Sequence, residues 1–281
     1  MDRRRQDPKA PTRLAAKRSP ASTPPTTLGR HNPRLARLRR LCRGEDAELT
    51  VADGLRLVVD LAAAGVALEE LYVADDMLAT VESDTAAITR RGATVFVVSH
   101  APLSELAPTR HSQGVLAVVR RPSCRLPEEG VVLYLDRIQD PGNVGAVIRC
   151  AAALGGSGVA CSPGCADPFS PRAIRGSAGS ALLLPVVTNA DFAPIAERAR
   201  QAGGEAAAAI AGDATPLSSW RPRLPLVVAL GNEGEGLAAE VLRGCDSRVS
   251  IPLSRGVESL NIAVAAGIVL AGVRGLLPHL Y

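Results

Sequence analysis

The chain has 281 residues, of which 47% are hydrophobic and only 2% aromatic, so its core must be built from aliphatic side chains. Scarce aromatic residues argue against base stacking as the main mode of nucleic-acid binding, and the longest apolar run, residues 262–273, is too short to cross a bilayer. The formal net charge is +4, yet residues 1–43 hold 13 of the 32 basic residues and only two acidic ones. Such a segment suits a polyanion, although a solvated tail that aids solubility would have the same composition.

Six cysteines are scattered along the chain, without a repeated Cys-x-x-Cys motif and without a histidine at zinc-ligand spacing. We therefore expect no metal site and a reducing, cytoplasmic location. No secretory signal or membrane association is expected either, because the Arg-rich start runs into Ser, Thr and Pro without an apolar segment.

The first part of the chain predicts a disordered arm followed by a small α/β unit. Residues 1–31 are rich in Pro, Ser, Thr and Arg and lack hydrophobic periodicity, which is typical of disorder. A basic helix is expected over residues 32–42, where leucines recur at helical spacing. The unit would span residues 32–121, and the prolines of residues 122–130 indicate a linker. Within it, helices are predicted at 53–64, 84–91 and 103–106, and strands at 71–74, 94–98 and 114–119.

The second unit, residues 131–281, shows strands alternating with helices, which favours a parallel sheet flanked by helices. Two fully apolar runs, residues 131–135 and 226–230, are typical of strands that are buried on both faces. Residues 205–210 are ambiguous between helix and strand. The other strands are predicted at 159–161, 184–187 and 249–252, and helices at 143–154, 195–201 and 261–276.

Three loops follow predicted strands, and in open α/β sheets ligands bind beyond the carboxyl ends of the strands. The first loop, Asp-Arg-Ile-Gln-Asp-Pro-Gly-Asn over residues 136–143, leads into a helix that carries Asn143 and Arg149. An arginine offers a fixed fork of donors that suits a phosphate or a carboxylate. Alternatively, Asn143 is an ordinary helix N-cap and Arg149 a surface charge.

The second loop, residues 230–237, has three glycines among its eight residues, so its backbone can approach a ligand closely. It lacks the Gly-Lys-Ser/Thr ending of a phosphate loop, and Glu233 and Glu235 would repel phosphate, so a neutral or cationic ligand fits better. The third loop places Ser259 and Asn261 before an apolar helix, where Ser259 could simply be an N-cap. Any one of the three loops could be an ordinary turn, whereas the three together are far more specific.

Taken together, the three loops resemble the SpoU (TrmH-like) family of RNA ribose 2′-O-methyltransferases, within the SPOUT class. The likeness covers residues 131–277. Residues 49–54 and 112–118 resemble the family's N-terminal substrate-binding domain, a small α/β/α fold similar to a ribosomal protein, although many relatives have Glu where Asp53 stands. The matching loop residues are Asn143, Arg149, Asn232, Glu233, Gly236, Ser259, Leu260 and Asn261.

The resemblance implies an α/β fold with a SPOUT-type parallel sheet and a C-terminal trefoil knot. It also implies a homodimer with each active site near the subunit interface, which fits a terminal helix that is apolar almost all round. The cofactor would be S-adenosylmethionine. The residues implied to hold this cofactor are Leu230, Gly231, Asn232, Gly236, Ile251, Leu253, Leu260, Asn261 and Ala265.

The catalytic residues implied by the resemblance are Arg149, Asn143, Glu233, Ser259 and Asn261. An arginine loses its proton only above about pH 12, so we expect Arg149 to orient the 2′-hydroxyl and its adjacent phosphate instead of serving as general base. Asn143, Ser259 and Asn261 would position Arg149 or the hydroxyl, and Glu233 would hold Asn143 or Arg149.

Two further arginines, Arg172 and Arg175, are three residues apart and so share one helical face. They are candidate contacts to RNA phosphates, although a solvated basic face accounts for them equally well.

The substrate expected from the resemblance is structured RNA, with 23S ribosomal RNA favoured over transfer RNA. A non-catalytic RNA-binding protein, built from the basic arm and the small α/β unit, is one rival. The intact Asn143, Arg149 and Glu233 argue against it. Methyl transfer to a base is the second rival, and the Ser-Leu-Asn sequence at residues 259–261 favours ribose instead.

Overall fold

The computed structural model describes residues 25–108 and 112–276, and the described part of the chain forms two β-sheets. The strands are β1 (Thr26–Thr27), β2 (Leu49–Asp53), β3 (Leu68–Ala74), β4 (Thr94–Val98), β5 (Val115–Arg120), β6 (Val131–Asp136), β7 (Gly158–Cys161), β8 (Val186–Val187), β9 (Glu205–Ala209), β10 (Thr215–Pro216), β11 (Leu226–Gly231) and β12 (Ser247–Ser250). The helices are α1 (Pro33–Cys42), α2 (Leu55–Ala63), α3 (Glu82–Arg90), α4 (His100–Leu106), α5 (Pro141–Ala153), α6 (Pro171–Gly176), α7 (Phe192–Gln201), α8 (Ala239–Arg243) and α9 (Ile262–Val273).

The first sheet has the strand order β1-β4-β3-β5-β2, with β5 antiparallel to both of its neighbours. The leucines of α1 pack with α4 on one face, around Tyr72 and Phe96. On the opposite face, α2 and α3 bury Val58, Leu61 and Ile88. This arrangement is the small α/β/α sandwich that the resemblance implied.

The predicted disordered arm is wrong at its C-terminal end. Thr26 and Thr27 pair in parallel with Phe96 and Val97, and the side chain of Leu28 is buried. The edge of β4 offers unpaired backbone groups, which a short extended segment can satisfy whatever its composition. The first 24 residues of the predicted arm lie outside the described residues.

The second sheet consists of seven parallel strands in the order β10-β12-β9-β11-β6-β7-β8. Helices α5 and α9 cover one face, and α7 and α8 cover the other. Because both faces are covered, β6 and β11 are almost entirely buried, which explains why they read as continuous apolar runs. The predicted parallel α/β sheet is confirmed.

The strand order reverses between β6 and β11. The chain moves from β6 to β7 on one side, whereas β11 is followed by β12 on the other side. The loops after these two adjacent strands both lie at the carboxyl edge of the sheet, which is the edge where ligands bind in open α/β sheets.

The two sheets pack directly against each other. One apolar cluster runs from Val58 and Leu61 of the first sheet's helices to Leu133 and Val228 of the second sheet. The buried Thr50 Oγ1 donates a hydrogen bond of 2.6 Å to the carbonyl oxygen of Phe169. The two sheets therefore share an interior.

Some predicted boundaries are wrong for local reasons. The helix expected over residues 53–64 starts only at Leu55, because Asp53 ends β2 and Gly54 turns the chain with φ 108°. The ambiguous segment at 205–210 is strand β9, although its alanines favour helices, because it lies between β11 and β12. No described helix is long and apolar enough to cross a membrane. The cytoplasmic location stays a prediction.

Candidate active site

The first loop ends where α5 begins. Asp140 is the N-cap of α5, and its Oδ1 accepts a hydrogen bond of 3.0 Å from the backbone N–H of Asn143. Asn143 is therefore not the helix cap, which was the alternative reading of this residue. Its side chain instead reaches out of the first turn towards the other two loops.

Asn143 joins the three loops. Its Nδ2 donates a short hydrogen bond to the carboxylate of Glu233, in the second loop. Its Oδ1 accepts a hydrogen bond of 3.1 Å from Nδ2 of Asn261, in the third loop. Asn261 in turn caps α9, because its Oδ1 accepts from the N–H of Ala263 at 2.9 Å. Asn261, and not Ser259, is thus the helix cap, and Glu233 holds Asn143, which was one of its two predicted partners.

The second loop folds back on itself in a narrow turn. Asn232 Oδ1 accepts hydrogen bonds from the N–H groups of Gly234 and Glu235, and its backbone pairs with that of Gly236. A Cβ atom on Gly231 would lie 2.3 Å from the carbonyl carbon of Gly236, so only glycine allows this close approach. Because Asn232 Oδ1 is engaged inside the loop and Nδ2 donates to the carbonyl oxygen of Arg137, a ligand would meet mainly the backbone of Asn232.

A cavity of about 370 Å³ lies between the second and third loops, at the carboxyl ends of β9, β11 and β12. Its volume lies in the range of small-molecule sites. Of the predicted site residues, the cavity wall includes Leu230, Gly231, Asn232, Glu233, Gly236, Ile251, Leu253, Ser259, Leu260 and Ala265. Sequence reasoning missed Ala209, Ile210, Ala211, Leu237, Val249, Ile262 and Val269, which also line the cavity.

The chemistry of this wall suits a ligand that combines an apolar ring with a polar or cationic group. Aliphatic side chains from the strand ends supply an apolar surface, and the backbone of the glycine loop supplies hydrogen-bonding groups. Glu233 is the one acidic side chain on the described wall, and a carboxylate favours a positive charge over a phosphate. S-adenosylmethionine, which carries an adenine ring and a sulfonium, fits these residues.

Arg149 is not brought to the cavity. It lies six residues after Asn143 on α5, so it is about 9 Å further along the axis and about 240° around it. Its side chain is exposed and is absent from the described cavity wall. The part of the chain that the structure describes gives it no hydrogen bond or ion pair. We expected all five catalytic candidates to meet at one site. Asn143, Glu233 and Asn261 do so, and Ser259 lies on the cavity wall, whereas Arg149 lies apart from them.

The two candidate RNA contacts on α6 are both exposed. Arg172 already has a partner within the chain, because its Nη2 donates to Asp140 Oδ2 at 2.7 Å. This ion pair steadies the residue that caps α5. Arg175 extends to solvent on the same short helix.

A parallel α/β sheet with a small-molecule cavity at the carboxyl ends of β9, β11 and β12, joined to a small α/β/α sandwich, defines a two-unit α/β protein with a ligand site in its larger unit. Residues 130–271 match the model of the SpoU rRNA methylase family, and residues 34–117 match that of the MRM3-like substrate-binding domain. The chain belongs to the SpoU family of tRNA/rRNA methyltransferases.

Relatives agree with this assignment. An uncharacterised tRNA/rRNA methyltransferase of Mycolicibacterium gilvum is 31% identical, over 90% of this chain and 86% of its own length. Another such protein, from Synechocystis, is 37% identical, over 64% of this chain and just under two thirds (66%) of its own length.

Solved structures show the same fold. The AdoMet-bound rRNA methyltransferase of Sinorhizobium meliloti superposes with a TM-score of 0.78 at 28% identity, covering 90% of this chain and 98% of its own. The structure of an RNA 2′-O ribose methyltransferase gives a TM-score of 0.73 at 28% identity, covering 90% and 99%.

Proposed function

We propose that this protein transfers a methyl group from S-adenosylmethionine to a ribose 2′-hydroxyl in structured RNA, with 23S ribosomal RNA as the favoured substrate. The observation that carries the proposal is the hydrogen-bonded link from Glu233 through Asn143 to Asn261, which draws three loops together at the edge of one cavity. The similar structures named as AdoMet-bound and as an RNA 2′-O ribose methyltransferase support the cofactor and the site of methylation.

When bound, S-adenosylmethionine supplies an electrophilic methyl group on its sulfonium. The aliphatic wall at Ile251, Leu253 and Leu260 would pack against the adenine, and the backbone at Gly231 and Gly236 would bind its polar groups. Most of the catalysis would come from fixing two reactants in line, which removes much of the entropic barrier.

The polar residues would act on the RNA. Asn143 is held by Glu233 and Asn261, so its position is fixed before the substrate arrives, and Ser259 lines the same cavity. Arg149 would bind the phosphate next to the target ribose. This role requires an exposed guanidinium and does not require contact with the cavity. Arg172 and Arg175 would hold phosphates further along the RNA.

The predicted domains and the predicted homodimer are proposed on the same basis. Residues 131–281 would be the methyltransferase domain with a C-terminal trefoil knot, residues 32–121 the RNA-binding domain, and residues 122–130 their linker. A homodimer is supported by α9, which is apolar throughout and leaves Val264 50% exposed.

The proposed function can be tested by calorimetry with S-adenosylmethionine and by mapping 2′-O-methyl groups in RNA from cells with and without the gene. The purified protein should bind the cofactor, and one ribose of 23S ribosomal RNA should lose its methyl group in the deletion strain. A lost methyl group in transfer RNA would change the substrate but keep the reaction. A methylated base, or a protein that binds RNA but not the cofactor, would overturn the proposal.

Replacement of Arg149 tests its role in transfer. Arg149→Ala should lower turnover by about 100-fold or more while changing cofactor affinity less than twofold, because Arg149 lies off the cavity wall. Arg198→Ala, which removes an exposed arginine from α7, is the control and should leave both quantities unchanged. Near-normal turnover of Arg149→Ala would refute the assignment.

A further inference from the structure

Arg137 has a backbone conformation that is unusual for its residue type. It follows β6 directly and has φ 58°, in the left-handed region where side chains other than those of Gly, Asn and Asp are disfavoured. An arginine stays in such a conformation only when contacts around it compensate for the strain. Those contacts all lead to the glycine loop or to its support.

The guanidinium of Arg137 binds the glycine loop at Glu235 and Gly236. Its Nη1 donates to Glu235 Oε2 at 2.7 Å, and its Nη2 donates to the carbonyl oxygen of Gly236 at 3.3 Å. Its own carbonyl oxygen accepts from Asn232 Nδ2 at 3.0 Å. One residue thus contacts the loop at three points along the turn.

The residues that hold Arg137 in place, Asp136 and Ser162, are buried. Asp136 is 3% exposed; its Oδ1 accepts from Arg137 Nε at 3.3 Å, and its Oδ2 accepts from the N–H of Ala238 at 2.6 Å. The backbone N–H of Arg137 donates to Ser162 Oγ at 2.9 Å. Asp136, and to a lesser degree Glu235, also raises the pKa of Arg137, so the guanidinium stays charged at every working pH.

We propose that Arg137 is a positioning residue that latches the glycine loop, residues 231–237, against the cofactor cavity. One side of the latch, at Asp136, is fixed in the core. The other side, at Glu235, is 74% exposed, so it can release when the loop opens to admit or discharge the cofactor. The inference rests on the proposed function, because it assigns to this cavity the S-adenosylmethionine of that proposal.

The test is calorimetry of S-adenosylmethionine binding to the full chain with Arg137→Asn. Asparagine accepts the left-handed conformation, so this change removes the grip and relieves the strain together. The dissociation constant should rise by about 5- to 10-fold. The melting temperature should fall as well, because the variant leaves the buried Asp136 carboxylate without its counter-ion. Turnover at saturating cofactor should stay within about twofold of wild type, because Arg137 contacts neither Asn143 nor Asn261 among the residues described.

Two further variants complete the design. Glu235→Ala should also weaken cofactor binding, because it removes one contact of Arg137 with the loop. The double variant should bind no more weakly than Arg137→Asn alone, because Glu235 acts on the loop through Arg137. Arg200→Asn is the matched control: Arg200 is 33% exposed against 35% for Arg137, and it also binds a carboxylate and a carbonyl oxygen, at Asp246 and Gly244. It lies at the amino-terminal edge of the sheet and should leave cofactor affinity unchanged.

The outcomes separate this inference from the proposed function. If wild type binds S-adenosylmethionine and Arg137→Asn binds it equally well, the latch is refuted while the proposed function stands. If wild type does not bind the cofactor, the proposed function and the latch both fall. A fall in melting temperature with unchanged affinity would assign Arg137 to stability alone and would also overturn the latch.

Discussion

At the scale of single residues, the arrangement of the three site loops depends on Asn143. Its amide contacts one residue from each of the other two loops, and no second described side chain links all three. An amide suits this place because it can donate to the Glu233 carboxylate and accept from Asn261 at the same time. Neither a carboxylate, which only accepts, nor an ammonium group, which only donates, could do both.

Asn143→Ala should therefore separate the loops. The loss of one charge-assisted and one neutral hydrogen bond is worth about 1.5–3 kcal/mol, so turnover should fall by about 10- to 100-fold in a methyl-transfer assay. Gln201→Ala is the control, since Gln201 Nε2 also donates to a carboxylate, that of Glu197, but on the exposed face of α7. Equal turnover in the two variants would contradict the role of Asn143.

Two neighbouring thiols should react very differently. Hydrogen bonding from the Cys161 thiol lowers the pKa of Cys165 to about 6, against the effect of burial, and the N–H of Ile138 also donates to the Cys165 sulfur at 3.3 Å. The pKa of Cys161 is raised well above its usual range by the same contact and by burial. The reactive form of a cysteine is the thiolate, so Cys165 should be nucleophilic near neutral pH and Cys161 inert.

Alkylation with iodoacetamide checks this difference. Above its folded pKa of about 6 Cys165 is a thiolate, and its labelling rate should fall as the pH drops through that value. Peptide mass spectrometry over a pH series should show Cys165 labelled first and Cys161 unlabelled, and Cys165→Ser should remove the early label. Equal labelling of both cysteines at neutral pH would show that their thiols are not coupled in this way.

At the scale of elements, the site depends on how closely α5 packs against α6. A Cβ on Gly145 would lie 2.5 Å from the carbonyl oxygen of Ala173 and 2.9 Å from the backbone nitrogen of Ser177, so the two helices touch backbone to backbone. In α9, a Cβ on Gly267 would meet only Cys150 and Leu154, at ordinary contact distances. Two helical glycines therefore have opposite roles.

The same substitution should change stability in opposite directions at the two positions. Gly145→Ala should lower the free energy of unfolding by about 1–3 kcal/mol, because backbone must move to admit the methyl group. Gly267→Ala should raise it by about 0.5–1 kcal/mol, because alanine is the better helix former and space is available. Urea titrations of both variants decide this, and a stable Gly145→Ala protein would disprove the close packing.

Sequence alone predicted elements best where burial is uniform. Strands β6 and β11 were predicted because residues 131–135 and 226–230 are apolar throughout, as in strands covered on both faces, and the first two site loops were found because they follow these strands. β1, β10 and α8 were missed because segments of two to five residues show no periodicity. The place of Arg149 away from the cavity is what helical spacing gives, because six residues carry it about 240° around α5 from Asn143, whereas the resemblance named it as catalytic without regard to its direction.

At the scale of the whole molecule, the predicted linker does not separate two independent bodies. Thr50 of the first sheet donates to the carbonyl of Phe169, and Arg121 Nη1 forms a 2.8 Å ion pair with Asp167. Beneath these polar contacts, the apolar cluster continues from one sheet to the other. We therefore expect the two units to unfold together.

Scanning calorimetry should show one cooperative transition for wild type. Thr50→Val, which keeps the side-chain shape, leaves a buried carbonyl without its donor and should cost about 1–3 kcal/mol. The single transition should move to lower temperature without splitting. Two separated transitions in wild type would show that the shared interior does not couple the sheets.

Because the two sheets share an interior, the two units are held at a constant distance from each other. Under the proposed function, one half grips a folded RNA and the other carries the methyl donor, so the reach from grip to target sugar is constant. The enzyme would then select its nucleotide by the distance from the RNA structure that the first unit binds. The base sequence around the target would matter less than the folded shape that sets this distance.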